Sequence, residues 1–92
     1  MEEAGGRVIR GVLDEASFIA SERGVFKRLT IREPQSVDKE TGYVIEMLRS
    51  CYFHEVYLAG EAVSEAQLRG LRGSRLEIRF LADNASEIRV VS

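Results

Sequence analysis

Ser64-Glu65-Ala66-Gln67-Leu68-Arg69-Gly70-Leu71-Arg72-Gly73-Ser74-Arg75-Leu76-Glu77-Ile78-Arg79-Phe80 changes periodicity partway along. Ser64 and Gln67 stand at capping-box spacing, so the serine oxygen can accept from the N3 amide while glutamine reaches back. Val63 and Leu68 hold the positions of a hydrophobic staple. Leu68 and Leu71 supply an apolar stripe, and Gly73 suits a C′ position. The spacing predicts a helix of about two turns from near Glu65 to Arg72, too short to stand undocked. From Arg75 the period becomes two: Leu76, Ile78 and Phe80 fall on one face, Arg75, Glu77 and Arg79 on the other. Ala82 to Ser86 reads as a turn, and Glu87-Ile88-Arg89-Val90 repeats the alternation. The end of the chain is therefore expected to be a half-buried hairpin.

Working back toward the N-terminus, Arg7 to Leu13 reads as a strand, with Gly11 marking a bulge or bend. Asp14 to Ser17 interrupts it, and Phe18-Ile19-Ala20 extends it. Ser21 to Gly24 is a turn. Val25 to Glu33 is the second strand, ended by Pro34, which lacks an N–H. Val25, Leu29 and Ile31 share one parity; Phe26, Arg28, Thr30 and Arg32 share the other. Lys27 falls on the apolar parity and is expected near the strand mouth or a bulge. The turn over Asp38-Lys39-Glu40-Thr41-Gly42 would bring Tyr43 to Tyr52 back as a hairpin. That stretch also fits a helix, since Val44, Met47, Leu48 and Cys51 follow i, i+3, i+4, i+7 spacing. The strand is preferred; the alternative is a small α+β domain with a second helix near 43–52. His54 to Ala59 is a further strand or the continuation of a long bent one.

Composition narrows the function classes. Ninety-two residues make one domain, taken as 7–92 behind a flexible tail at 1–6. A hydrophobic share of 45% and a net charge of -2 argue against disorder. No apolar run is long enough for a membrane span, and the acidic start resembles no secretory or transit signal. The single cysteine, Cys51, predicts a reducing, cytoplasmic setting. A sequence pI near 5.4 argues against nucleic-acid binding through net charge alone. Lys27 and Lys39 are the only lysines, so the basic residues are overwhelmingly arginine. A GC-rich coding bias or a thermophile's ion pairing accounts for that, and arginine adds planar contacts lysine lacks.

Strands in this order, with one short helix before the last two, predict an all-β barrel or sandwich. The pattern resembles the OB-fold superfamily, in particular small replication-protein-A-like and single-stranded DNA-binding domains. The likeness rests on Val8 to Leu13 with Gly11, on the Phe26-to-Arg32 strand, and on the Gln67-to-Ile78 passage. It covers roughly residues 7–91 and implies a five-stranded antiparallel OB-type barrel. The chain departs from it in being acidic, in lacking Trp, and in its long Tyr43–Ala59 region.

Little points to catalysis. Cys51 and His54 stand three apart, which on a strand sends them to opposite faces, and no third orienting group is evident. Two such ligands make no zinc site. The carboxylate pairs Glu2-Glu3, Asp14-Glu15 and Asp38/Glu40 sit in loop or tail stretches. No glycine loop has the strand–loop–helix context that holds phosphate. The expectation is a non-enzymatic chain without cofactor or metal.

The face bearing Phe26, Arg28, Thr30 and Arg32 is the best functional candidate, because bases stack on rings and Arg pairs with phosphate. The competing expectation puts Phe26 in the core and pairs the arginines with Glu46 or Glu33. The OB likeness makes strands two and three the binding surface and adds Tyr43, Arg49 and Tyr52. It also makes Asp83-Asn84-Ala85 a contact loop, whose one acid and no base count against a strong grip. Arg75, Arg79 and Arg89 with Glu77 and Glu87 read as a cross-strand charge ladder, and Arg69 and Arg72 could extend it. The primary expectation is a module for single-stranded DNA or RNA. The alternative is a protein-interaction subunit or adaptor, or a homodimer, anchored by Tyr52, Phe53 and Tyr57.

Overall fold

A computed structural model describes residues 6–91, Gln35 by its backbone alone. The expected tail therefore lies outside the described residues apart from Gly6. Among the described residues, seven strands and one helix follow in the order β1 (Val8–Ser21), β2 (Gly24–Val37), β3 (Val44–Phe53), β4 (Glu55–Leu58), β5 (Glu61–Ala62), α1 (Glu65–Gly70), β6 (Arg75–Leu81) and β7 (Ala85–Val90). They form one open sheet in the order β3-β2-β1-β6-β7-β4-β5. The chain is thus mostly β with one short helix, as its periodicities predict. The alternative helix near 43–52 is overturned: β3 is a strand, because hydrogen bonding to β2 from Val37↔Val44 to Lys27↔Phe53 fixes it in extended form.

The sheet is not wholly antiparallel. β4 runs parallel to β7, from Glu55↔Ala85 to Leu58↔Ile88. The long Tyr43–Ala59 region supplies both β3 and β4, with only His54 between them. Beyond it, Ala59 and Gly60 take positive φ of 53° and 84° and return the chain as the two-residue β5.

β1 is long because it serves two partners. It pairs with β6 over Val8–Val12 and with β2 over Val12–Ser21. A bulge between Leu13 and Glu15 lets it turn from one to the other. Gly11 permits the close approach at this bend: a Cβ there would stand 2.5 Å from Ile31 Cγ2 and 2.6 Å from the Arg32 carbonyl oxygen.

β2 continues to Val37, past Pro34, where the sequence predicts its end. β1 stops pairing at Arg32, so from Glu33 on β2 has a strand on one side only. A residue without an N–H is tolerated at such an edge, and the ladder absorbs it in a bulge between Pro34 and Ser36.

The helix is shorter than its predicted Glu65–Arg72, ending at Gly70. Its start is as predicted, with both capping-box hydrogen bonds formed between Ser64 and Gln67. Gly73, at φ 87°, carries the exit, and its amide donates to the Leu13 carbonyl.

Leu68 enters one core cluster with Leu13, Leu29, Ile31, Phe53 and Val56, to which β6 and β7 add Leu76, Ile78 and Ile88. Lys27 sits on this inward parity, buried, at the mouth of the strand as expected. Its ammonium is provided for by the His54 carbonyl at 2.8 Å, Glu55 at 3.5 Å and the Phe18 ring. No described helix is long and apolar enough to cross a membrane.

The far ends of β2 and β3 project from this core as a two-stranded arm closed by residues 38–43. Asp38 organises the tip: its Oδ1 accepts from the Glu40 and Thr41 amides, and its amide donates to the Tyr43 carbonyl. Val37, Tyr43, Val44, Ile45, Met47 and Leu48 are all exposed along the arm.

Candidate nucleic-acid interface

Cross-strand register decides which side chains share a face. Arg28 lies opposite Ser17 on β1 and Tyr52 on β3; Phe26 lies opposite Ile19; Arg32 lies opposite Val12 and Leu48. Lys27, Leu29 and Ile31 between them point into the core. Phe26, Arg28, Arg32 and Tyr52 therefore share the outward face of β1-β2-β3. The competing expectation of a core Phe26 fails, because Lys27 takes the inward place.

Two predicted members do not join them. Arg49 stands opposite buried Ile31, on the inward parity with Cys51 and Phe53, and its Nε lies 3.3 Å from Glu33. Tyr43 sits at the tip of the arm, 75% exposed, beyond the last β2–β3 pair. Of the predicted protein-anchoring aromatics, Tyr52 is exposed, Tyr57 is half-buried and Phe53 is fully buried against Phe80.

One member is new. The exposed His54 ring meets Phe26 edge-on, with centroids 5.9 Å apart. His54 follows Tyr52 by two residues, so strand parity alone puts both on one side. Cys51 points the other way, which separates the only cysteine and histidine as strand geometry predicts. Burial pushes the Cys51 thiol pKa up, against the lowering influence of Arg49, Arg7 being a smaller one.

No family model, curated protein or solved structure matches this chain.

Carboxylates hold the arginines of the face. Arg28 Nη2 lies 3.3 Å from Glu15, and Arg32 lies 4.0 Å from Asp14 and 3.9 Å from Glu46. All five side chains are a third or more exposed, so these pairs are loose and solvent-screened. Thr30 and Ser50 add a hydroxyl pair at 3.2 Å between the two arginine rows. Arg28 Nε and the neighbouring Ser17 Oγ are buried without a hydrogen-bond partner. The face can thus offer rings for stacking and guanidinium groups for an anion, once their carboxylates yield.

The other charged surface is closed on itself. Arg79 pairs with Glu87, and Glu77 takes Arg89 at 2.9 Å and Arg10 at 2.8 Å. This is the predicted ladder without Arg75 and with Arg10 added; Arg69 instead pairs with Glu65 on its own helix, and Arg72 donates to the Asp14 carbonyl. Among the described residues no three His, Cys, Asp or Glu side chains gather as a metal site.

Proposed function

We propose that this chain is a non-enzymatic OB-type module that binds single-stranded DNA or RNA on the outward face of β1-β2-β3. The observation that carries the reading is the grouping of exposed Tyr52 and His54 with half-buried Phe26 and Arg28 on one face. Bases would stack on the rings, and Arg28 and Arg32 would take phosphates in exchange for Glu15, Asp14 and Glu46.

Strand order supports the OB assignment. Counting β3 and β4 as one bent strand gives five: β1, β2, β3–β4, β6 and β7. Both ends of the main sheet then belong to that same strand, which is the arrangement a closed OB-type barrel requires. A ring of five strands cannot alternate direction all the way round; one neighbouring pair must be parallel, and β4–β7 supplies it. A reducing, intracellular setting suits the lone buried Cys51.

A protein-interaction role is the second reading, favoured by the carboxylates that leave this face nearly neutral. Fluorescence-anisotropy titration of labelled single-stranded DNA and RNA over a range of salt separates the two. The nucleic-acid reading expects saturable binding with a log–log salt slope of roughly -1.4, for two phosphate contacts on a single strand. Absence of binding at low salt would reject it and leave the protein partner.

A further inference from the structure

We propose that the β2–β3 arm is a homodimer interface, in which β3 of one copy pairs edge to edge with β3 of a second. This inference is independent of the nucleic-acid reading.

The arm cannot be explained as part of the core. Beyond Arg32 it is two strands wide, and an isolated two-stranded ribbon is marginal in water. Yet it carries apolar side chains on both faces: Leu48 and Val44 follow the outward parity, Met47 and Ile45 the inward one. With Val37 and Tyr43 these expose on the order of 600 Å² of apolar surface, divided between the two faces of the arm.

Three features select a second copy as the occupant. First, β3 ends the strand order, so over the arm its outer edge offers unpaired N–H and C=O groups. The occupant must bring a strand edge as well as apolar side chains, and another β3 brings both. Two-fold pairing turns two marginal ribbons into one four-stranded sheet, β2-β3-β3-β2.

Second, the charges along the arm are matched within each chain: Arg32 with Glu46, Arg49 with Glu33. Over the paired strands two like copies therefore meet without net repulsion, and the closing turn adds only Asp38 and Glu40 against Lys39. Third, edge pairing sets the apolar side chains of the two β3 strands side by side on both faces, so each copy covers part of the other's exposed apolar surface. Isologous two-fold contacts are the commonest form of self-association.

The test is sedimentation velocity of the full chain across a concentration series, alongside Val44→Glu/Ile45→Lys, which places one charge on each face of the arm, away from Arg32. The wild type is expected to sediment as a dimer. The variant is expected to be a monomer with unchanged circular dichroism, its dimer affinity weakened at least ~100-fold by the loss of two apolar anchors. A wild type that stays monomeric throughout, or a variant that still dimerises, overturns the proposal.

Hydrogen exchange on the wild type gives a second reading that does not depend on the variant folding. Amide protection over Val44–Arg49 should rise with protein concentration, and constant protection counts against the interface. Oligonucleotide binding measured on the same variant keeps the two proposals apart, since a monomer that still binds loses the dimer alone.

Discussion

The ammonium of Lys27 donates to the carbonyl oxygen of His54 at 2.8 Å, across the point where β3 gives way to β4. This contact ties the inward parity of β2 to the break in the third strand. It holds Lys27 inside and so leaves Phe26 outside, against the His54 ring. Replacement by methionine keeps the stem but removes the charged donor from the His54 carbonyl and from Glu55. Lys27→Met should cost about 1.5–3 kcal/mol, the range for a hydrogen bond to a charged group. Urea unfolding measures it; a variant as stable as the wild type would mean that the lysine does not secure the break.

Tyr52 and Arg49 separate the two sides of β3. Tyr52 shares the outward face with Arg28, while Arg49 faces the other way toward Glu33. Tyr52→Ala should weaken oligonucleotide binding by about 1–3 kcal/mol, as loss of a stacked base does, and leave stability within about 0.5 kcal/mol. Arg49→Ala should leave binding almost unchanged. Anisotropy titrations of both variants decide the matter, and the opposite ranking would move the interface to the inward side of the arm.

Gly11 lies close against β2, one residue before the Val12↔Arg32 pair. A methyl group would meet Ile31 Cγ2 at 2.5 Å and, more seriously, the Arg32 carbonyl oxygen at 2.6 Å. Backbone cannot rotate aside as a side chain can. Gly11→Ala should therefore destabilise the fold by about 1–3 kcal/mol, the usual cost of overpacking, even though alanine suits a strand no worse than glycine. Thermal unfolding measures it. An unchanged melting temperature would show that the two strands can part here without cost.

The contrast among these residues shows which information sequence carries. The Ser64–Gln67 capping box and the Arg79–Glu87 pair were readable because each follows from local spacing or strict alternation. Arg49 shares the parity of Cys51 and Phe53 and so faces inward, a local signal that runs against the strand-two-and-three surface implied by the OB likeness. His54 was missed as a neighbour of Phe26 because only the β2–β3 register, with Lys27 opposite Phe53, brings the two rings together. Pro34 misled for a similar reason. Proline ends a strand flanked on both sides, and nothing local says that β1 has already left at Arg32. The parallel β4–β7 pair is likewise a property of the whole chain path.

Glu77 gives a pH prediction. Its carboxylate accepts from Arg89 at 2.9 Å and from Arg10 at 2.8 Å, and these hydrogen bonds hold its pKa below the ordinary carboxylate range, desolvation opposing them weakly. A lowered folded-state pKa means that the contribution is fully present above the unfolded value, about 4.3 for glutamate, and is lost as pH falls through the folded one. Both arginines are 68% exposed, so added salt should weaken the effect. Glu77→Gln should therefore be less stable than the wild type near neutral pH at low salt. The difference should shrink as pH falls below the unfolded value of about 4.3 and be gone once pH has passed the lowered folded-state pKa. Thermal unfolding of both proteins across this range reads it. A gap that stays constant down to acid pH would assign the loss to altered packing between β6 and β7 and not to the charge.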